Sequence, residues 1–355
     1  MEKNIAYLPG DGIGPEVAKQ GKKALEAVAQ KFGHKFNFTE ALVGAVAIDE
    51  TGDPYPAETH KVCKESDAVL FGAIGHPKYD NDPSSPVRPE EGLLRMRKQL
   101  GLFCNIRPVK AYENLIDKAP LKNDRLLGAD MVTFRELTSG LYFGSPRGRA
   151  EDGKSAFETC TYTEEEILRM AKLAFEAAKN RRNKVTLVDK ANVLVTSRLW
   201  REVVTKFHKE NYPEVELDFL FVDNAAMQMV LCPTQFDVIL TENLFGDIIS
   251  DVSSVIAGSL GLLASASIGG EVGLYEPIHG SYPQAAGQNI ANPMAAILSA
   301  SMLLETSFGL VEEAKAIVDA IDKCMKEGFV TVDINPDNNI GTEELGDKVV
   351  EFILA

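Results

Sequence analysis

The chain has 355 residues, 45% of them hydrophobic and 25% charged, a composition typical of a globular protein with room for about two domains. Its net charge of −15 argues against nucleic acid or an anionic membrane as the main partner, because both attract a surplus of lysine and arginine. Five scattered cysteines without a CxxC pair indicate reduced thiols. A strand-like segment begins at residue 4 and leaves no room for a signal peptide, so we expect a cytoplasmic protein.

Strand and helix patterns alternate along the chain. The strand NIAYLP is followed by a predicted helix over 15–32, with Pro15 in its first turn. The last third is predicted to be mostly helical, and the Gly-rich stretch 143–162 to form a loop with a protruding hairpin, an interface arm. The alternation favours an α/β fold around a largely parallel sheet. Further strands are predicted at 35–42, 67–75, 103–110, 129–137, 184–190, 215–223 and 236–241, and helices at 163–182, 291–308, 310–328 and 342–355.

The first strand-to-helix turn, LPGDGIGPE, is similar to a dinucleotide-binding fingerprint but departs from it. Its glycines follow the spacing GxGxG, and Pro15 stands where the third fingerprint glycine is required. Glu40, near the end of the second strand, keeps a Rossmann interpretation open because an acidic residue there can bind a ribose. The alternative is a tight turn that lines a ligand crevice.

Three aspartates are candidates for a metal site. Asp247 and Asp251 are four residues apart on a helix that Asn243 can cap, so both carboxylates project from one face, despite a repulsion of about 0.2–0.5 kcal/mol. Asp223 ends the predicted strand 215–223, and such strand ends face the ligand crevice. Carboxylates without a histidine or cysteine cluster suit Mg²⁺ or Mn²⁺. Stabilisation of the helix dipole would explain Asp247 alone but not Asp251.

Arg97, Arg107 and Arg135 are candidate anion-binding residues. Arg107 and Arg135 interrupt predicted buried strands, and Arg97 lies in a helical segment. A buried guanidinium needs a partner, and a carboxylate that accepts two parallel hydrogen bonds is the usual one. That carboxylate can belong to a substrate or to the protein, so internal ion pairing stays open. Arg95 is predicted to be solvated.

Tyr142 and Lys190 are candidates for proton transfer. Lys190 is the last residue of a predicted buried strand, where desolvation and a nearby metal would lower its pKa toward neutrality. Taken alone, a lysine at this position is more often a capping or salt-bridge residue. Its assignment as a proton carrier therefore depends on its neighbours.

Seven segments together resemble one family. In chain order they are LPGDGIGPE, ELTSGLYFG, VDKANVL, NLFGDIISDVSS, GSLGLLASAS, EPIHGS and ANPMAAILSASMLLE, which extend along nearly the whole chain. They are similar to the β-decarboxylating hydroxyacid dehydrogenases, a family of isocitrate, isopropylmalate, homoisocitrate and tartrate/D-malate enzymes. The resemblance implies a two-domain fold distinct from Rossmann, with a mixed sheet flanked by helices. It implies a cofactor domain from 1–102 and 258–355, and a substrate, metal and dimerisation domain from 103–257.

The resemblance also implies roles for particular residues. Each active site of a homodimer would take Lys190 and Asp223 from one subunit and Tyr142 from the other, with Tyr142 and Lys190 as the acid–base pair. Asp223 would contact the substrate and, with Asp247 and Asp251, hold Mg²⁺ or Mn²⁺. The substrate carboxylates would be held by Arg97, Arg107 and Arg135, and the cofactor NAD would be contacted by Glu276, His279, Gly280, Ile290 and Asn292.

Within the family, the segment EEGLLRMRKQLGLFCNIRP is most similar to the branch that acts on 3-isopropylmalate in leucine biosynthesis. Leu93 and Leu94 would bind the isopropyl group, a gain of about 2 kcal/mol. They and Glu90 would reject the third carboxylate of isocitrate. Core packing of the two leucines is the alternative. Gln284 departs from the family, whose NAD users place an aspartate there; it can bind a ribose hydroxyl but carries no charge toward a 2′-phosphate.

Two further interpretations stay open. A sibling enzyme would act on D-malate, tartrate or isocitrate with the same residues. A catalytically inactive relative would serve as a regulatory binding subunit, although such subunits lose part of the Tyr/Lys/Asp set that this chain retains. The favoured expectation is a dehydrogenase whose partners are a second copy of the chain and a small dicarboxylate, and neither nucleic acid nor membrane.

Overall fold

The computed structural model describes residues 1–80 and 87–355. In chain order its strands are β1 (Glu2–Gly10), β2 (Lys35–Glu40), β3 (Ala68–Ala73), β4 (Cys104–Lys110), β5 (Asp130–Glu136), β6 (Gly148–Arg149), β7 (Ala156–Phe157), β8 (Lys184–Asp189), β9 (Glu216–Phe221), β10 (Val238–Thr241), β11 (Ala264–Ile268) and β12 (Gly273–Pro277). Its α-helices are α1 (Gly14–Phe32), α2 (Ala45–Thr51), α3 (Ala57–Lys64), α4 (Pro77–Asp80), α5 (Pro89–Gln99), α6 (Asn123–Leu126), α7 (Glu164–Lys179), α8 (Val195–Asn211), α9 (Val222–Leu231), α10 (Asn243–Ser254), α11 (Met294–Phe308), α12 (Val311–Glu327) and α13 (Thr342–Leu354).

The chain divides into two units, one formed by residues 1–102 with 258–355 and the other by residues 103–257. In the first unit the strand order is β2-β1-β3-β12-β11, with all neighbours parallel except β11, which runs antiparallel to β12. Leu8, Phe71 and Leu274 pack on one face of this sheet with Met96 of α5. The alternation of strand side chains therefore gives each face its own apolar layer.

Helices α1 and α11 pack together in the first unit. α1 begins with a proline in its first turn, as predicted, and ends at Gly33, whose φ of +73° suits glycine. Its buried Val17, Leu25 and Val28 recur at helical spacing. A Cβ at Gly21 would lie 3.0 Å from the carbonyl oxygen of Ala296, so a glycine lets the two helices approach closely.

In the second unit the strand order is β4-β5-β10-β8-β9, parallel except for β4 against β5. α7 begins with a capping box in which Thr163 and Glu166 bond each other's backbone N–H groups. The stretch 143–162 contains the expected hairpin, whose strands β6 and β7 are exposed. Its role as an interface arm stays a prediction.

The expected α/β architecture with a largely parallel arrangement of strands is confirmed. The mostly helical last third is only partly right, because β11 and β12 interrupt it. Both are short, and β11 is rich in Ala and Ser, which have little strand preference of their own. Across the described ranges, no helix combines the length and apolar character needed to cross a bilayer.

Candidate active site

A cluster of charged side chains lies around α10 in the second unit. The Asp247 carboxylate is 2.5 Å from Arg135 Nη1 through Oδ1, and its Oδ2 accepts a 2.8 Å hydrogen bond from the Tyr142 hydroxyl. One turn further, Asp251 Oδ1 lies 3.2 Å from Arg107 Nη1. Each of the two aspartates thus pairs with one arginine. Both lie in α10 one turn apart, as the sequence spacing predicted.

Arg135 is held in place by the start of α10. Its Nε donates to the carbonyl oxygen of Asn243 at 2.9 Å, and its Nη2 donates to the Asn243 side chain at 3.0 Å. A Cβ at Gly246 would lie 2.5 Å from Arg135 Cγ, so glycine is required where the arginine crosses the helix. Asn243 was expected to cap α10, but it is the first helical residue and Glu242 occupies the cap position. The predicted cap is wrong, because the Asn243 side chain is used by Arg135 and by the carbonyl of Ser139.

Arg107 is nearly as buried as Arg135. Its Nε donates to Asn105 Oδ1 and its Nη1 donates to Ser250 Oγ, both at 2.7 Å. Asn105 faces Arg135 across the β4–β5 pairing, and both arginine-bearing strands contact α10, Arg135 near its first turn and Arg107 one turn further on. The internal ion pairing that the sequence left open is therefore present for both arginines.

The carboxylates of α10 are open to a ligand. The Asp251 side chain is 73% exposed and that of Asp247 is 37% exposed, whereas the Arg107 and Arg135 side chains are 12% and 5% exposed. Two exposed carboxylates one turn apart suit a hard divalent cation, which takes oxygen ligands. In the part of the chain that the structure describes, no three His, Cys, Asp or Glu side chains gather closely enough to hold a metal. Further ligands would have to come from substrate, water or a second copy.

Lys190 and Asp223 form a separate pair. Lys190 was expected to end its strand, but β8 ends at Asp189 and Lys190 follows it directly. The Lys190 Nζ lies 2.5 Å from Asp223 Oδ1. Asp223 lies in the first turn of α9 and not at the end of β9, which corrects its predicted position. The hydrogen bond from Lys190 lowers the pKa of Asp223. In this chain Asp223 is therefore the hydrogen-bond partner of Lys190, and Asp247 is that of Tyr142.

Tyr142 lies on a short 3₁₀ turn, Gly140–Tyr142, and is partly exposed. Desolvation raises the pKa of its phenol above the ordinary value of 10, and the hydrogen bond to Asp247 raises it further. The phenol is therefore protonated throughout the neutral range and can donate a proton. This property matches the acid role that the resemblance implied, although the role itself is untested.

The predicted substrate helix, α5, lies in the first unit. Arg97 Nη2 is 2.8 Å from Glu276 Oε1, and both side chains are largely buried. Leu93 packs against the core of this unit, as the alternative interpretation allowed, whereas Leu94 is 42% exposed and available to a ligand. The Arg95 side chain, expected to be solvated, is 40% exposed, and it also pairs with Asp53 and lies near the Tyr55 ring.

A cavity of about 590 Å³ lies in the first unit. Its size is within the range of cofactor sites. Of the residues expected to contact a cofactor, His279, Gly280, Ile290 and Asn292 line the cavity, whereas Glu276 and Gln284 are outside the lining. Gln284 lies in a 3₁₀ turn, and its carbonyl oxygen accepts a hydrogen bond from the Gln288 side chain. The rest of the lining is Ile13, Ser259, Leu260, Gly261, Tyr282, Ala291, Val332 and Asp333.

Two polar groups of this cavity suit a cofactor. His279 Nε2 is buried and has no hydrogen-bond partner within the described chain, and burial lowers the pKa of this histidine. An orphaned buried nitrogen is costly unless a ligand satisfies it. Sequence reasoning missed Asp333, whose Oδ2 accepts hydrogen bonds from Ser259 at 2.5 Å and Asn292 at 3.1 Å. An aspartate in the loop VDINPDNN was the only signal for it.

Sequence reasoning also missed Glu242, which is 3% exposed at the start of α10. Its carboxylate accepts a hydrogen bond from the Ser197 hydroxyl. Burial raises the pKa of Glu242 to about 7, and the Asp189 charge contributes to the rise. Cys160 and Tyr162 also lie within electrostatic reach of it. No sequence motif marks this residue.

We expect Glu242→Gln to stabilise the protein more at pH 8 than at pH 5. A carboxyl whose pKa is raised on folding stabilises below its unfolded pKa, and this contribution is lost as the pH rises through 7. An amide keeps the acceptor for Ser197 without the charge, so the gain should grow by roughly 2–3 kcal/mol between the two pH values. Urea unfolding of both proteins at pH 5 and pH 8 measures it. An equal gain at both would contradict the prediction.

Comparisons with known proteins give matches along nearly the whole chain. The family model described as isocitrate/isopropylmalate dehydrogenase matches residues 4–349. A protein of Aquifex aeolicus named 3-isopropylmalate dehydrogenase is 52% identical, over 98% of this chain and 96% of that protein. One of the same name from Oleidesulfovibrio alaskensis is 54% identical, over 99% and 100%. The crystal structure of isocitrate dehydrogenase from Methylococcus capsulatus matches with a TM-score of 0.88 at 33% identity, over 99% and 100%.

Proposed function

Because this chain belongs to the isocitrate/isopropylmalate dehydrogenase family, we propose that it converts (2R,3S)-3-isopropylmalate to 4-methyl-2-oxopentanoate and CO₂ in leucine biosynthesis. The observation that carries the substrate is the identity of 51–54% to relatives named 3-isopropylmalate dehydrogenase. Those relatives do not favour the sibling substrates D-malate, tartrate or isocitrate. The Tyr142–Asp247 and Lys190–Asp223 pairs support an active enzyme over a regulatory subunit.

Substrate recognition is proposed for the arginines. Arg107 and Arg135 carry fixed positive charge in buried positions, and their present partners, Asp251 and Asp247, are carboxylates. A dicarboxylate substrate offers the same chemistry and can replace them. Arg97, held by Glu276, would contribute a third cation.

The isopropyl group is assigned to Leu94. Its side chain is exposed on α5, whereas Leu93 is partly committed to the core. Covering an isopropyl group with this leucine would be worth about 2 kcal/mol, a preference of roughly 30-fold. A carboxylate placed there would lose its hydration without gaining a partner, so isocitrate would be rejected.

We propose NAD and a divalent cation, Mg²⁺ or Mn²⁺, as the missing groups. When bound, NAD supplies a hydride acceptor for C2, and a cation at Asp247 and Asp251 supplies Lewis acidity at the C2 oxygen and the adjacent carboxylate. The exposed α10 carboxylates fit the cation, and the cavity with the orphaned His279 nitrogen fits the cofactor. NAD is preferred over NADP because a 2′-phosphate would need a cationic partner. Asp333, which lines the cavity, is acidic and Gln284 is uncharged, so neither supplies one.

The protein residues would move the protons. Lys190 accepts the C2 hydroxyl proton, directly or through Asp223, as the C2 hydrogen leaves as hydride and a ketone forms. The C3 carboxylate then departs as CO₂, and its bonding electrons form an enolate. Tyr142 donates its proton to C3, which gives 4-methyl-2-oxopentanoate. Its raised pKa keeps that proton available.

A homodimer is proposed because one chain places its proposed catalytic residues in two separate groups, each of which lacks part of the set. Each group is called a half-site. Lys190 and Asp223 pair with each other, while Tyr142, Asp247 and Asp251 form the other group. Exposed apolar side chains lie on the two helices that carry the aspartates of these groups, Met227 and Val230 on α9 and Ile248 on α10. Contact with a second copy would bury them and bring Lys190 of one subunit to Tyr142 of the other.

The test is NADH formation by the purified protein with Mg²⁺, offered 3-isopropylmalate, D-malate or isocitrate, with a chelator as control. We expect turnover on 3-isopropylmalate to exceed the others by at least about 30-fold and to be lost with chelator. Faster turnover of D-malate or isocitrate would refute the assignment of Leu94. Activity that persists with chelator would refute the metal.

A further inference from the structure

We propose that Ser197 and Glu242 are positioning residues for Lys190, which they fix through a hydrogen-bonded chain that we call the Ser197 relay. The relay consists of the Lys190 backbone N–H, the Ser197 hydroxyl and the Glu242 carboxylate. The inference rests on the proposed function, in which Lys190 accepts the substrate proton. Neither Ser197 nor Glu242 has a part in that chemistry.

The hydrogen bonds of the relay have one consistent direction. The Lys190 N–H donates to Ser197 Oγ at 3.1 Å, and Ser197 Oγ donates to Glu242 Oε1. A hydroxyl has a single hydrogen, so once this hydrogen points at Glu242 a lone pair remains for Lys190. Ser197 is fully buried and Glu242 is 3% exposed, which excludes water as a ready substitute. Glu242 therefore orients the hydroxyl that orients Lys190.

The relay joins the two elements that carry the catalytic groups. Ser197 lies in the first turn of α8, which follows the Lys190 turn, and Glu242 immediately precedes α10, the helix of Asp247 and Asp251. The carbonyl oxygen of Glu242 accepts the N–H of Gly246 at 2.8 Å, so the residue is anchored to α10. The relay thereby fixes the backbone position of Lys190 relative to α10, the helix of Asp247 and Asp251.

The opposite side of the Lys190 turn is already fixed. The buried carboxylate of Asp189 accepts two hydrogen bonds of 2.9 Å from Arg201 and one of 2.9 Å from the Ala191 N–H. The relay supplies the second constraint. Because the Lys190 amino group is at the end of a long side chain, a small backbone shift would displace it from the reacting hydroxyl, and such misplacement is costly in rate.

The test compares Ser197→Ala, Glu242→Ala and the double variant with a matched control, Thr241→Val. The Thr241 hydroxyl donates to the carbonyl oxygen of Val188 at 2.9 Å. This buried bond joins β10 to β8, the strands that precede Glu242 and Lys190, and does not involve Lys190. We expect each relay variant to lose about tenfold or more in kcat with KM within about twofold, and the double variant to lose no more than the worse single one. Thr241→Val should keep kcat within about twofold at a similar loss of Tm.

A second readout does not depend on activity. In Ser197→Ala the Lys190 amide should exchange hydrogen at least about tenfold faster. Thr241→Val should leave the exchange of the Lys190 amide unchanged. Equal losses of kcat in the control and the relay variants, or unchanged exchange at Lys190, would overturn the relay. A wild-type protein without activity on 3-isopropylmalate, with faster Lys190 exchange in Ser197→Ala, would sink the proposed function and leave the relay supported.

Discussion

Refolding an equal mixture of two inactive variants, Lys190→Met and Asp247→Asn, is expected to restore about a quarter of the wild-type activity. Each variant alone should be inactive, since every site of the proposed homodimer would lack either the proposed base or a carboxylate of the proposed metal site. In the mixed dimer, one site combines the intact Asp247 of one chain with the intact Lys190 of the other. Random pairing makes about half of the dimers mixed, and each has one working site, which gives the quarter.

A matched mixture shows whether the sharing is specific. Lys190 and Asp223 belong to the same half-site, since they are 2.5 Å apart in one chain. A mixture of Lys190→Met with Asp223→Asn should therefore regain nothing, because each site of the mixed dimer receives one damaged half-site from its partner. Native mass spectrometry establishes that mixed dimers form. If they form and the first mixture stays inactive, the shared site is wrong.

Much of the fold was predictable from local patterns. β8 to within one residue of its predicted end, the helix that Thr163 caps and the proline-initiated α1 follow from hydrophobic periodicity and capping residues. The Rossmann alternative is wrong, since the chain has the family fold. Within the glycine turn, the Gly14 N–H donates to the carbonyl oxygen of Asp11 at 2.9 Å. The Asp11 carboxylate accepts hydrogen bonds from the N–H groups of Ala45, Val46 and Gly75.

The site was predictable in its residue types and not in its pairings. The sequence placed Arg107, Arg135, Asp247 and Asp251 among the candidates, but could not pair Arg135 with Asp247, which is 112 positions away. Such long-range ion pairs depend on strand order and register, which local periodicity does not encode. The same limit hid the Ser197–Glu242 bond. It also hid the pairing of Arg95 with the distant Asp53.

Tyr142→Phe is expected to lower kcat by roughly 10²–10⁴, the usual contribution of a positioned acid. The change removes the hydroxyl that donates to Asp247 at 2.8 Å, and this hydroxyl is held protonated by its raised pKa. Binding should change little, since the substrate carboxylates are assigned to the arginines. Tyr162→Phe is the matched control. Its buried hydroxyl accepts the Asn243 N–H at 2.9 Å, so its loss should cost stability and leave kcat within about twofold.

The stereochemistry of protonation separates a proton donor from a residue that only shapes the site. In deuterated water the wild-type enzyme should deliver one deuterium to a single face of C3, because Tyr142 approaches from a fixed direction. Trapping the product by reductive amination gives leucine, whose two β-hydrogens NMR distinguishes. In Tyr142→Phe the enolate would take its deuterium from solvent on both faces. Retained single-face labelling in this variant would assign the proton to another group. Mixed labelling in Tyr142→Phe together with single-face labelling in Tyr162→Phe would identify Tyr142 as the donor.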